Sequence, residues 1–234
     1  SYFTQPYNNL GVQGIFRDQN DADGLGEVTA KQVFDDWSPE VTLTWKPQDG
    51  IIVYGAYKTA YKSGGLSNSG ILSPNAGLAD FEFEPEKAKG FEGGIKTMLA
   101  DRQLRLNLGL YSYKYTNLQL DFFRSDIFAF TTINAGSART KGVELEFEYA
   151  PRALDGFSLR GSLTYNKARY GDAPGAPCYA GQTRANGCNL VFVPATGGTV
   201  AFDPAIHAAA NRQNLKGLPT ANAPKWTGSL GASY

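Results

Sequence analysis

Long hydrophobic runs are missing from this 234-residue chain, and so are most residues that catalysis and metal binding rely on. It has one histidine, one methionine and two cysteines. No apolar run approaches the roughly 18 residues of a membrane helix, which excludes a transmembrane helix and a signal-peptide core. An excess of one charge is missing too: 22 Lys and Arg balance 22 Asp and Glu. With no Lys/Arg cluster along the chain, the sequence argues against a nucleic-acid binder. Neither a Gly-x-Ser-x-Gly elbow nor a His-Glu-x-x-His helix occurs. His207, inside Pro204–Asn211, therefore reads as an exposed loop histidine, and the chain is expected not to be an enzyme. The chain opens on Ser1 and not on methionine, so a leader or an upstream region is expected before it.

What is abundant suits strands and turns: 27 glycines, 13 tyrosines and 14 phenylalanines. The clearest segment is Gly142–Tyr149, where Val143, Leu145, Phe147 and Tyr149 alternate with Glu144, Glu146 and Glu148. That period of two gives a strand with one apolar and one acidic face. The same alternation runs through Val41-Leu43-Trp45, Val53 to Tyr61, Phe91 to Leu99, Leu104 to Leu110, Phe157 to Tyr165 and Trp226 to Tyr234. Tyr111, Tyr113 and Tyr115 break the parity set by Leu104 to Leu110, which leaves open a bulge or a tyrosine-rich polar wall. A mean hydropathy of −0.32 is compatible with a membrane barrel, whose lipid-facing and water-facing residues average out as polar.

Connection lengths alternate as well. Short turns at 48–50, 100–102 and 151–156 separate long excursions at 1–38, 63–88 and 171–217. A fourth long-side connection reads as a hairpin, Leu118–Phe123 and Ile127–Ile133, tipped by Arg124, Ser125 and Asp126. Short on one side and long on the other is the layout of outer-membrane barrels. Trp45 at a turn end, with Tyr57, Tyr61, Tyr165 and Trp226 at loop ends, fits interfacial aromatic belts. The fold class expected is all-β: a transmembrane antiparallel β-barrel in fragment, with seven strands or, counting the hairpin, nine. A soluble β-sandwich, in which the aromatics pack a core between two sheets, is the competing arrangement.

Several stretches resemble the barrel of TonB-dependent outer-membrane receptors. They are Ser38–Pro47, Val53–Gly65, Phe83–Thr97 and Asn134–Glu146, with a weaker match from Leu218-Pro219 to Lys225. In this order and with these gaps they cover residues 38 to 234, the equivalent of a partial chain from the C-terminal half of the barrel. The resemblance implies a 22-stranded barrel, with an N-terminal plug domain and further strands lying outside this chain. It implies residence in the cell outer membrane, among outer-membrane lipid. It implies import of a scarce nutrient, usually a ferric siderophore, energised through the plug by the TonB–ExbB–ExbD complex. A passive porin is the competing barrel function.

Candidate site residues follow from both arguments. Glu144, Glu146 and Glu148, with Lys58, Lys62, Lys96, Arg105 and Arg160, are expected on the lumen wall, where the resemblance implies polar contact with the plug. Ferric siderophores are often anionic and aromatic and meet the loops first. Phe122, Phe123, Arg124, Phe128 and Phe130 of the hairpin, with Tyr179 and Arg184, are therefore the ligand-binding candidates. Cys178 and Cys188 lie ten apart in the longest excursion, where a disulfide would staple an exposed loop in an oxidising compartment. Free thiols or metal ligands are the alternatives, although no further Cys or His lies nearby to complete a metal set. Asp18–Gly24 echoes a calcium loop with its spacing one residue off and no Glu twelve on. No cofactor is expected, apart from structural calcium as an option for that loop.

Overall fold

The computed structural model describes residues 2–5, 28–67, 82–124, 129–179, 181–189 and 212–234. Seven long strands form one sheet: β1 (Glu40–Gln48), β2 (Ile51–Lys62), β3 (Glu86–Leu99), β4 (Leu104–Thr116), β5 (Ser137–Tyr149), β6 (Ser158–Tyr170) and β7 (Trp226–Ser233). Every strand pairs antiparallel with its neighbours in sequence, so the sheet is a simple meander running from β1 to β7. Both expectations of fold class and strand number hold: the structure is all-β, and it is an open stretch of sheet with β1 and β7 at its edges.

Registers are continuous across the sheet except for one shift between Trp45 and Gln48 in β1. They decide the parity question in β4. Leu104 to Thr116 pairs with β3 and β5 without interruption. Leu104, Leu106, Leu108 and Leu110 therefore share one face, and Arg105, Asn107, Tyr111, Tyr113 and Tyr115 share the other. There is no bulge; the tyrosines continue the polar face that Arg105 and Asn107 begin. The same face carries Lys58 and Lys62 of β2, Lys96 of β3, all three glutamates of β5 and Arg160 of β6, as the alternation implied.

Among the described residues nothing packs on the apolar face. Leu43, Trp45, Phe91 and Leu230 are 75%, 66%, 67% and 74% exposed. Among the described residues the buried apolar side chains are small ones, Ala56, Ala135, Ala138, Ala173 and Ala176 with Cys188, and most of these sit in the connections. A sandwich would cover the leucines of β4 with a second sheet. Here the sheet is a single layer with one apolar and one polar face, which is the wall of a barrel. No described helix is long and apolar enough to cross a membrane, which leaves crossing by strands untouched.

The two ends of the sheet differ as the sequence implied. On the turn side, Asp49-Gly50 closes β1–β2, with Gly50 in the left-handed region (φ 77°) that glycine adopts freely. Ala100, Asp101 and Arg102 all take positive φ to close β3–β4. Gln103 stitches this turn to the next: its carbonyl accepts from Ala150 N at 2.9 Å and its side chain from Arg152 N at 2.8 Å.

On the loop side the long connections carry short hairpins, Gly65–Leu66 with Glu82–Phe83, and Gln119–Arg124 with Ala129–Asn134. The second hairpin corrects the expected one in detail. Phe123 pairs with Phe130 and Gln119 with Asn134, which extends the first strand through Arg124, opposite Ala129. Arg124 thus belongs to a strand and not to the tip, and the strand pair is separated by residues 125–128. Likewise β3 begins at Glu86, so its excursion is shorter than the sequence indicated.

Candidate functional site

Two polar regions meet at the loop end of the sheet: the upper part of the polar wall and the layer of hairpins above it. The wall is organised by cross-strand partners. Glu92 of β3 accepts from Lys58 Nζ at 2.8 Å and from Tyr113 Oη at 2.7 Å, joining three strands. Asn166 Oδ1 of β6 accepts from Tyr111 Oη of β4 at 3.1 Å and from Thr140 Oγ1 of β5 at 2.7 Å, carrying the network on across β4, β5 and β6. Lower down, Arg105 pairs with Glu148 at 2.8 Å, and Asn107 donates to Glu146 at 3.5 Å.

Glycines allow the tyrosines to lie down. Tyr111 stands opposite Gly142, Tyr113 opposite Gly90, and Tyr54 opposite Gly94. A Cβ on Gly142 would sit 2.6 Å from Tyr111 Cζ, and one on Gly94 would sit 2.9 Å from Tyr54 Cε1. The rings occupy the space over the glycine backbone and cover it, the role aromatic neighbours take beside strand glycines. In the sequence Tyr111 and Tyr113 read only as a break in parity, and no sequence pattern pairs them with Asn166 and Glu92. The signal available was the set of glycines at polar-face positions.

Above the wall, the connections are tied to one another by side chains. Asn134 accepts from Glu84 N at 2.7 Å and donates to Glu84 O at 2.8 Å and to Asn117 O at 3.0 Å. Gln119 donates to Ser63 O at 2.9 Å and Glu84 O at 3.1 Å, and its backbone N–H reaches Glu86 at 2.9 Å. The first small hairpin and the 119–134 hairpin are thus clamped together across the base of the loops. Asn214 clamps the last connection, accepting from Ala173 N at 3.0 Å and donating to Asp172 at 2.8 Å.

The hairpin separates the ligand-binding candidates. Phe123 and Phe130 are partners on its exposed face, with ring centroids 5.2 Å apart in an edge-to-face arrangement, and are 40% and 58% exposed. Phe122 lies on the opposite face beside buried Thr131 and is half-buried. Arg124 occupies the strand position opposite Ala129, and Phe128 lies outside the described residues.

In the longest connection Cys178 and Cys188 are joined by a disulfide. Tyr179 and Arg184 are both exposed on that stapled segment. Its centre is Gln182, 5% exposed, which accepts from Tyr179 N at 3.1 Å and donates to Asn186 O and Gln213 Oε1, both at 2.9 Å. No sequence pattern marks Gln182 for this role. His207 and the acidic loop 18–24 lie outside the described residues, and among the described residues no group of three potential metal ligands occurs.

This arrangement defines a class: a section of transmembrane β-barrel wall, polar within, apolar without, tight-turned at one end and capped by tied loops at the other. The chain matches the family described as TonB dependent receptor-like, beta-barrel, over residues 7–234. The chain belongs to the β-barrel of the TonB-dependent receptors, a family of outer-membrane receptors and transporters. No curated protein matches it. Among solved structures it is similar to the siderophore receptor PiuA from Acinetobacter baumannii, at 18% identity over 91% of this chain and 26% of that one, with a TM-score of 0.53. It also resembles the ferric yersiniabactin uptake receptor FyuA from Yersinia pestis, at 25% identity, 62% of this chain, 20% of that one and a TM-score of 0.45. A third is the alcaligin outer-membrane receptor FauA from Bordetella pertussis, at 20% identity, 62% and 23% coverage and a TM-score of 0.40. The chain spans about a quarter of PiuA's length and about a fifth of FyuA's.

Proposed function

We propose that this segment forms part of the wall and ligand-meeting loops of an active importer in a Gram-negative outer membrane, with a ferric siderophore as its cargo. Residues 1–234 would be barrel throughout, with the plug and the contact to TonB–ExbB–ExbD supplied elsewhere in the protein. The observation that carries the reading is the family match across nearly the whole chain, on a sheet whose loop end is tied and aromatic. Phe123 and Phe130 offer a cargo an apolar platform, and exposed Tyr179 adds a third ring on the stapled connection. Such surfaces suit a flat, partly aromatic chelate, and exposed Arg184 would complement its negative charge. Nothing in this role asks for a catalytic residue: binding at the loops is followed by plug movement, so the segment would act without chemistry.

The test is uptake of radiolabelled ferric siderophores by the source organism with and without the gene, under iron starvation. The reading expects uptake of at least one siderophore to be lost on deletion, and lost equally when TonB is absent. Uptake that survives loss of TonB but needs the gene would indicate a passive porin instead. Recovery of the protein in the soluble fraction would overturn the membrane assignment.

A further inference from the structure

The exposed face of the 119–134 hairpin carries more than its two rings. Strand alternation puts Gln119, Asp121 and Phe123 on one face of the first strand, and their register partners Asn134, Thr132 and Phe130 stand directly opposite on the second. The face therefore has three rows: an amide pair at the base, an acid–hydroxyl pair in the middle and the phenylalanine pair above. The base row is engaged in the clamp to Ser63 and Glu84. Asp121 is exposed, and its Oδ1 accepts from Thr132 Oγ1 at 2.6 Å, which holds the carboxylate on this face. Among the described residues Asp121 forms no ion pair. The clamped hairpin, Gly65–Leu66 with Glu82–Phe83, adds no Lys or Arg, and Glu82 and Glu84 are exposed. Arg124 comes one register step beyond Phe123, opposite Ala129, outside the alternation that joins Asp121 to Phe123.

Two effects act in the same direction on whatever lies on these rings. Aromatic faces are the negative part of the ring quadrupole and attract cations. Asp121 precedes Phe123 by two residues, roughly 7 Å along a strand. That is within the screening length of about 8 Å at physiological ionic strength, so its charge is felt on the platform. A cationic group there is drawn by rings and carboxylate together. An anionic group gains nothing from the ring faces and is repelled by Asp121. A repulsive element of this kind is what separates ligands of similar shape.

We propose that Asp121 sets cargo specificity by charge. The ferric chelate resting on Phe123 and Phe130 presents a protonated amine beside Asp121, as a trihydroxamate with an amine-bearing arm does. A chelate that is anionic all round, such as a ferric tricatecholate, is disfavoured. The inference rests on the siderophore reading of these loops and narrows it, since it concerns the same rings. Arg184 is exposed on the separate stapled segment, so a negative group elsewhere on the same chelate still finds a partner. Asp121 makes no bond to iron: the hydroxamate oxygens keep the metal, and the carboxylate meets only the arm.

The complete protein containing this segment, purified in uncharged detergent, would be titrated with three iron-loaded probes while its tryptophan fluorescence is followed. These are a ferric trihydroxamate with a free amine, the same chelate with that amine acetylated, and a ferric tricatecholate. The first two share one iron core and differ in charge at a single nitrogen. The expected result is a Kd roughly three- to ten-fold lower for the free amine than for its acetylated form, with the tricatecholate bound most weakly. Asp121→Asn should bring that ratio down to about two-fold or less, and Asp121→Glu should restore it. Thr132→Val removes the hydrogen bond but keeps the charge, so it should retain the ratio; a ratio lost in both Asp121→Asn and Thr132→Val would assign the effect to local structure and overturn the proposal. Raising the salt from about 0.05 M to about 0.5 M should shrink the parent's ratio, a reading that needs no variant. Equal affinity for the free and acetylated amines, an undiminished ratio in Asp121→Asn, or tightest binding of the tricatecholate would overturn the proposal. The last of these leaves the siderophore reading standing, because a ferric chelate is still bound. Binding of none of the three would also overturn the proposal, and the importer reading would then be decided by the uptake measurement alone.

Discussion

Gly142 and Tyr111 show how a single position governs the polar wall. The tyrosine ring lies where a Cβ at 142 would be, 2.6 Å from Cζ, and from there its hydroxyl reaches Asn166 at 3.1 Å. Tyr111→Phe removes one partly exposed hydrogen bond and should cost about 1 kcal/mol. Gly142→Ala forces the ring and the neighbouring Tyr165 carbonyl apart and should cost more, about 1–3 kcal/mol. Reversible unfolding of the complete barrel in detergent would measure both, and an alanine variant no less stable than the phenylalanine one would show that the ring moves aside freely. At the opposite end Ala100 is held at φ 52° between β3 and β4. A left-handed non-glycine residue costs about 1–2 kcal/mol, partly offset by the extra freedom of unfolded glycine, so Ala100→Gly should stabilise by up to about 1 kcal/mol. A destabilised variant in the same titration would mean that the alanine methyl makes a contact worth more than the strain.

At the scale of elements, the strands were legible because each has to satisfy water on one face and apolar surroundings on the other, which writes period two into the sequence. Gly142 to Tyr149 needs nothing else to be read. The parity break at Tyr111 was ambiguous because a tyrosine suits either face; only pairing with β3 and β5 decides it. The hairpin was legible as a hairpin, yet its register was not, since Phe122, Phe123, Phe128 and Phe130 offer apolar side chains to both faces. The ties between connections were illegible for a different reason. Asn134, Gln119, Asn214 and Gln182 act on backbone groups far away in sequence, and an amide side chain carries no periodic signature.

The stapled connection therefore has two restraints, the disulfide and the Gln182 hub, and they can be separated. With Cys178→Ser and Cys188→Ser, loop-closure entropy of about 3 kcal/mol is lost at most, all of it local. Proteolysis within 178–188 should accelerate while the barrel's melting stays where it was. Unchanged cleavage rates would show that Gln182 alone orders the segment, and a lowered barrel midpoint would show that the staple reaches into the wall.

For the whole molecule, the decisive quantity is the amount of surface that a lone sheet cannot satisfy. Both edge strands present unpaired backbone groups: β1 is exposed along its entire length, and β7 nearly so. Between them lies a face on which Leu43, Trp45, Phe91 and Leu230 are each at least two-thirds exposed or nearly so, at 75%, 66%, 67% and 74%. Apolar surface left in water forfeits about 25 cal/mol per Å², so residues that stabilise a barrel in lipid work against the same sheet in buffer. Open edges add a route to pairing between chains, which the charged residues of β2 to β6 do not block because they lie away from the edges. The 234-residue chain expressed by itself without detergent should accumulate as aggregates with strand signature. Refolding it into micelles should give mixed oligomers joined at β1 and β7, and not one closed species. Size exclusion with light scattering and a thermal melt would check this. A monodisperse monomer that melts cooperatively in buffer would mean that the apolar face finds cover within the chain, and the wall would have to be redrawn as one half of a sandwich.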